Sequence, residues 1–297
     1  MKYSFLLIPV FFFQFCNAQP VKKLPSNTDD NTLLWEISGN GLTKPSYLFG
    51  TFHLMCRENI HFSDNLKEAL HGASEVYFEM DLDDASNTLG AVFFMNMKDG
   101  KTLKDLYNDN EYARITTFFK DSLRTGLAMF QRMKPGFLAA MLYPKMMPCK
   151  NMSGVEQELL AIVAKDKKEI KGFETIANQS AAFDSIPLSQ QASELLKSID
   201  SFHSYQKNFD QLIKGYLSQQ ITSFDTLFTD TLKGGFDARF EELLLNRRNR
   251  NWVDQLKKIL PEKNIFIAVG AGHLVGEQGL IALLRKQGYT LRPILNK

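Results

Sequence analysis

Two short segments of this chain place a histidine just past an apolar run and a glycine turn. Gly50-Thr51-Phe52-His53 follows Ser46-Tyr47-Leu48-Phe49, and Gly270-Ala271-Gly272-His273 follows Ile265-Phe266-Ile267-Ala268-Val269. Glycine lets the backbone turn sharply and leaves room beside it. Imidazole is the commonest metal-ligating side chain and the usual acid–base group near neutral pH. Either copy alone reads as a turn that happens to carry a histidine. Together, in the same order of strand, glycine turn and His-Leu, they point to one site assembled by the fold. His61, His71 and His203 lack that setting and read as surface or helix residues.

The elements that must position the pair follow from hydrophobic period and turn chemistry. Leu33 to Ile37 and Ser46 to Phe49 flank a turn-rich connection and are predicted to form an antiparallel strand pair. Asp64 to Ala73 reads as a helix capped by Ser63 or Asp64, and Val76 to Glu79 as a strand. From about residue 85 to 260 helical spacing dominates, as in Phe118, Phe119 and Leu123 or Leu195, Leu196 and Ile199. A short strand from Glu169 to Phe173 interrupts that section, and Met141, Met146 and Met147 read as core packing. Ile265 to Val269 is a central strand, Glu277 to Gln287 a helix stopped by Gly288, and Thr290 to Ile294 a last strand. The expected fold class is α/β, with a mixed central sheet formed from both ends of the chain and a helix-rich middle section. In such sheets ligands bind at the carboxyl ends of strands.

The flanks of the two motifs sharpen the reading. Trp35-Glu36-Ile37 and Lys44-Pro45 precede the first, and Gly276, Gly279, Arg285 and Gly288-Tyr289 follow the second. Between them lie Glu75-Val76-Tyr77-Phe78-Glu79-Met80-Asp81, Gly154-Val155-Glu156, Gly172-Phe173-Glu174-Thr175 with Gln179, and Arg248-Asn249 with Trp252. In order and spacing, over about residues 33 to 295, this resembles the TraB/GumN family, which includes the Tiki-type metalloproteases. One departure is visible: Glu156 stands where family members more often carry aspartate, which leaves position 156 without an expected role.

The resemblance implies an exported metal-dependent hydrolase, a peptidase, whose partner is a peptide or protein substrate. His53 and His273 would be metal ligands, with Gly50 and Gly270 as the motif glycines. An ion that keeps an open position needs about one more protein ligand, and Glu79 is the candidate because it too ends a predicted strand. Glu79 is alternatively the general base, or a strand-end carboxylate paired with Arg248 for structure alone. Arg248 would bind a substrate carboxylate or stabilise a developing oxyanion, which suits a planar, permanently charged donor. Mixed imidazole and carboxylate ligation leaves the divalent ion open among Zn, Mn and Co. The rival function is a non-enzymatic module that binds or sequesters a peptide in the same cleft.

The N-terminus predicts the compartment. Met1-Lys2, the apolar run Phe5 to Phe13, and Cys16-Asn17-Ala18 before Gln19-Pro20 describe a secretory signal peptide over residues 1–18. The apolar run is too short to span a bilayer, and no later segment is apolar for long enough. The rival reading, a lipoprotein anchored at Cys16, is disfavoured by Phe15 before it. The expectation is a periplasmic or secreted protein with a polar lead at 19–31 and one domain at 32–297. Net charge is +2 and hydrophobic content 44%, ordinary for a globular chain, and no basic run argues for a nucleic-acid partner. Cys56 and Cys149 remain after export. In an exported protein two cysteines can join as a disulfide; that and a plain buried thiol stay open, both ahead of a metal thiolate at Cys56.

Overall fold

The computed structural model describes residues 24–27, 29–84, 94–221 and 241–297. The expected signal peptide at 1–18, residues 19–23 and 28 of the polar lead, and parts of the helical section, 85–93 and 222–240, lie outside the described residues. The strands are β1 (Leu34–Gly39), β2 (Ser46–Thr51), β3 (Met55–Cys56), β4 (Glu75–Met80), β5 (Met152–Ser153), β6 (Glu169–Glu174), β7 (Ile265–Gly270) and β8 (Tyr289–Pro293). The α-helices are α1 (Asp64–Gly72), α2 (Asp109–Asp121), α3 (Pro135–Ala140), α4 (Tyr143–Met146), α5 (Val155–Asp166), α6 (Ile176–Asp184), α7 (Leu188–Asp200), α8 (Phe202–Leu217), α9 (Arg247–Ile259) and α10 (Leu280–Lys286).

Six strands form one mixed sheet in the order β6-β4-β7-β2-β1-β8. β6, β4, β7 and β2 run parallel, while β1 is antiparallel to both β2 and β8. The parallel strands therefore end on one edge, and that edge carries Thr51, Met80, Glu174 and Gly270 as strand-terminal residues. The expected hairpin at the start of the chain is present, with Trp35 opposite Leu48. A two-residue pairing of β3 with β5, joining Met55 to Ser153, was not legible in the sequence. Such short bridges lack any period of their own.

Side-chain alternation along the strands divides the core into two layers. On one face Tyr47, Phe49, Val76, Phe78, Phe266 and Ala268 pack with Leu66, Leu70, Leu159 and Val163 of α1 and α5. On the other, Trp35, Leu48, Tyr77, Ile267 and Val269 pack with Trp252, Leu256 and Leu284 of α9 and α10. Strand β7 is buried from Ile265 to Val269, as a central parallel strand covered by helices on both faces should be. A third cluster, with Ile115, Phe119, Leu138 and Leu195, forms the core of the helical section.

Local chemistry explains several boundaries. Ser63 caps α1 by accepting from the Leu66 N–H at 3.1 Å. Asn108 and Glu111 make a reciprocal capping box at the start of α2. Helix α10 begins at Leu280, later than expected, because Gly279 is its N-cap. Leu24 is buried, and Ser26 bridges Ile294, so the described end of the polar lead packs beside β8. Cys56 and Cys149 form a disulfide, which removes thiolate ligation at Cys56. It also ties β3 to the segment leading into β5. No helix among the described residues is long and apolar enough to cross a membrane.

Candidate active site

The carboxyl edge of the parallel strands gathers residues from across the chain. His53 follows β2, Glu79 lies at the end of β4, Glu174 ends β6, and His273 closes the turn after β7. Gly270 shows how close they come. A Cβ built there would lie 3.2 Å from Glu79 Oε1, 3.5 Å from His53 Nε2 and 3.7 Å from His273 Cδ2. The missing methyl keeps open a space ringed by these three side chains. Gly50 serves the neighbouring contact, since its Cβ would meet Ala271 at 3.2 Å, where β2 presses against the second motif.

Both imidazoles are held through Nδ1. His53 Nδ1 sits 2.7 Å from Glu156 Oε1, and Thr51 Oγ1 donates to the same oxygen at 2.6 Å. His273 Nδ1 lies 2.6 Å from Asn249 Oδ1. The Asn249 amide nitrogen donates to the carbonyls of His273 and Gln278, so Oδ1 must be the acceptor and His273 carries its proton on Nδ1. That leaves Nε2 of His273 as the acceptor nitrogen, and its partner here is Arg248 Nη1 at 3.1 Å. His273 also stacks on Trp252, with ring centroids 4.5 Å apart. His273 is buried and His53 exposed.

Arg248 binds the carboxylates together. Its Nη2 donates to Glu79 Oε2 at 2.6 Å and to Glu174 Oε1, and its Nε donates to Glu174 Oε1 at 2.9 Å. Nη1 donates to Leu244 O at 2.8 Å and to His273 Nε2 at 3.1 Å. All five guanidinium N–H groups are thereby engaged, and the plane lies over the Trp252 ring at 4.8 Å. Glu79 additionally accepts from the Gly270 N–H at 2.9 Å and from Gln179 Nε2 at 3.3 Å. Its Oε1 stands 3.6 Å from His273 Nε2.

These contacts set the charges. Burial pushes His273 down to about 3, with Arg248 and His53 adding to the effect, so it is neutral near pH 7. Burial alone would raise the Glu79 carboxyl, but the positive neighbours and the Gly270 N–H hold it well below the usual carboxylate range. With His273 neutral, Arg248 is the buried cation that Glu79 faces. The Glu156 carboxylate pushes His53 up to about 9. His53 and Thr51 in turn outweigh burial and lower Glu156.

The structure brings together all the residues singled out in the sequence: His53, Glu79, Arg248, His273 and the two motif glycines. It adds Glu156, Asn249, Glu174 and Gln179, none of which had an individual role on sequence grounds. Glu174 ends a parallel strand as Glu79 does, and that position was the available signal. Glu156 stood in the Gly154-Val155-Glu156 segment without a role, because its partner is fixed only when the N-terminus of α5 reaches the turn after β2. There the Val155 N–H donates to Phe52 O at 3.0 Å.

A cavity of about 440 Å³ opens beside these residues, lined by His53, Glu79, Arg248 and His273 and walled by apolar side chains of the helical section.

The model of the TraB/PrgY/gumN family matches residues 33–293. The chain is 24% identical to the human protein named Metalloprotease TIKI1, over 90% of this chain and 63% of that protein. It is 24% identical to Metalloprotease TIKI2 of Xenopus tropicalis, over 90% of this chain and 61% of that one. An uncharacterized protein of Treponema pallidum is 22% identical over 95% of this chain and 88% of its own length. The chain thus spans just over 60% of the length of the TIKI proteins it matches here. No solved structure matches it. The extent of the match, covering both Gly-x-x-His ends and the strands between them, places this chain in the TraB/PrgY/gumN family.

Proposed function

We propose that this protein is an exported metal-dependent peptidase acting on peptide or protein substrates. The observation that carries the reading is the convergence of His53, Glu79 and His273 on the open space beside Gly270. The donor chemistry fits a divalent ion: two imidazoles present Nε2 while Nδ1 is tied to a carboxylate or an amide oxygen, the usual outer support of metal-ligating histidine. One carboxylate oxygen completes the set. Zn, Mn and Co all suit these donors. When bound, such an ion supplies a Lewis acid that polarises a scissile carbonyl and makes water nucleophilic near neutral pH.

The chain's own residues would then act as follows. His53 and His273 would hold the ion through Nε2, and Glu79 through Oε1. For this His53 would lose its Nε2 proton to solvent while its Nδ1–H stays on Glu156, and Arg248 Nη1 would have to turn away from His273 Nε2. The released Nη1–H stays beside the cleft, where it can donate to an oxyanion developing on the substrate. Glu79 acts by its charge. Glu174 keeps Arg248 oriented through Nε and Nη2. The Cys56–Cys149 disulfide supports a periplasmic or secreted location, where such bonds persist.

The deciding experiment pairs metal analysis of the purified protein with peptide-library digestion by metal-loaded and chelated samples. About one bound divalent ion per chain, and cleavage abolished by chelation and restored by the ion, is the expected result. Tight peptide binding without any bound ion would replace this reading with a sequestering module.

A further inference from the structure

The cavity beside the site carries information about what enters it. Phe52, Leu54, Phe183, Ile186, Phe209 and Leu212 give it apolar walls. Its ionisable lining is unbalanced. Arg248 has every N–H engaged, and Glu79 is its partner. Beyond those and the two histidines, the charged lining consists of Glu194 on α7 and Glu241, and no lysine lines the cavity among the described residues. Glu194 is only 9% exposed. Its Oε1 accepts from Lys197 at 2.8 Å, a side chain that is itself more than half exposed and therefore weakly compensating. Its Oε2 is buried and has no hydrogen-bond partner among the described residues. An unmet carboxylate oxygen in a wall of low polarity is costly, and a charged N–H donor repays that cost.

We infer that this cavity selects peptides in which an apolar residue is accompanied by a lysine or arginine, with Glu194 as the carboxylate that meets the basic side chain. This rests on reading the cleft as a peptide-binding site. A basic side chain matches the walls along its whole length, because its methylene stem packs on apolar surface while its head is cationic. An anionic group on that side of the cavity would instead face the Glu194 and Glu241 carboxylates. Glu241 contributes the second negative charge of the lining.

The test uses the full mature protein and fluorescein-labelled peptides containing Phe followed by Lys, norleucine or Glu. Binding is measured by anisotropy with metal chelated, and cleavage separately with metal loaded. The Lys peptide should bind about tenfold more tightly than the norleucine peptide, and the Glu peptide more weakly than either. Glu194→Gln, of the same shape, should bring the Lys-to-norleucine ratio to within about twofold, and Glu241→Gln should lower it less. A melting curve for each variant establishes that it is folded. Equal binding of the Lys and norleucine peptides by the wild type overturns the inference. So does a ratio that survives Glu194→Gln or is lost only in Glu241→Gln. Charge-selective binding without any cleavage would instead sink the peptidase reading and leave Glu194's assignment standing.

Discussion

His53 Nδ1 lies 2.7 Å from Glu156 Oε1, joining residues 103 positions apart in the chain. The bond fixes which imidazole nitrogen faces Gly270, so a residue outside the cleft decides how a cleft residue behaves. Glu156→Gln keeps the shape but removes the charge that makes the imidazole a strong donor. Apparent metal affinity should fall about 10- to 100-fold, with little change in melting temperature. Titration calorimetry on both proteins checks this, and unchanged affinity would separate Glu156 from the site.

Gly270 offers a steric probe of the same space. A methyl placed 3.2 Å from Glu79 Oε1 and 3.5 Å from His53 Nε2 would occupy the volume between the three candidate ligands. Gly270→Ala is expected to abolish metal binding while the protein remains folded by circular dichroism. Normal metal stoichiometry in that variant would show that the ion binds elsewhere.

Arg248 satisfies two buried carboxylates at once, Glu79 and Glu174. Arg248→Lys keeps one charge but cannot span Glu79, Glu174, Leu244 O and His273 together. At least one buried carboxylate loses its partner, at about 3 kcal/mol of stability. Turnover should fall by at least about 100-fold, with metal still bound. Denaturant unfolding and steady-state kinetics together separate those effects, and a variant with full stability and activity would remove Arg248 from both roles.

The disulfide closes a long loop, with Cys56 and Cys149 separated by 93 positions. Chain-entropy arguments give about 4–5 kcal/mol for a loop of that size. Cys56→Ser with Cys149→Ser should lower the unfolding free energy by that order in reversible denaturation. A change below about 1 kcal/mol would mean that the unfolded chain is already compact there.

A pH-dependent contribution comes from the helical section. Lys134 is 4% exposed on its side chain and pairs with Asp184, which also meets Lys98. Burial alone would raise the Asp184 carboxyl, but the two lysines outweigh it and hold the carboxyl below its ordinary value. A folded-state value below the unfolded one stabilises fully above the ordinary carboxylate range, and that stability is lost as pH falls through the folded value. Asp184→Asn should therefore cost about 1–3 kcal/mol at pH 7, because the buried Lys134 ammonium keeps only the Phe94 carbonyl and the Ser180 hydroxyl as firm acceptors, and the gap from wild type should shrink toward pH 3. Melting curves across that range test it; a gap independent of pH would assign the loss to packing.

The sequence by itself determined the parts that local chemistry and period control. Alternation and apolar runs identified β2, β4 and β7, Ser63 capped α1, and the two glycine turns marked where histidines leave the sheet. Those signals sit within a few residues of what they specify. The strand-end rule then nominated His53, Glu79 and His273, because parallel strands deliver their carboxyl ends to one edge. Tertiary structure alone decided which partners those residues meet. Glu156 reaches His53 only because α5 starts beside the turn after β2. Asn249 sets the His273 tautomer only because α9 packs across β7 at Trp252. Glu174 shares Arg248 with Glu79 only because β6 pairs with β4. None of these pairings has a period or a motif of its own. They are fixed by sheet order and helix packing, which the chain reaches only when the whole core closes.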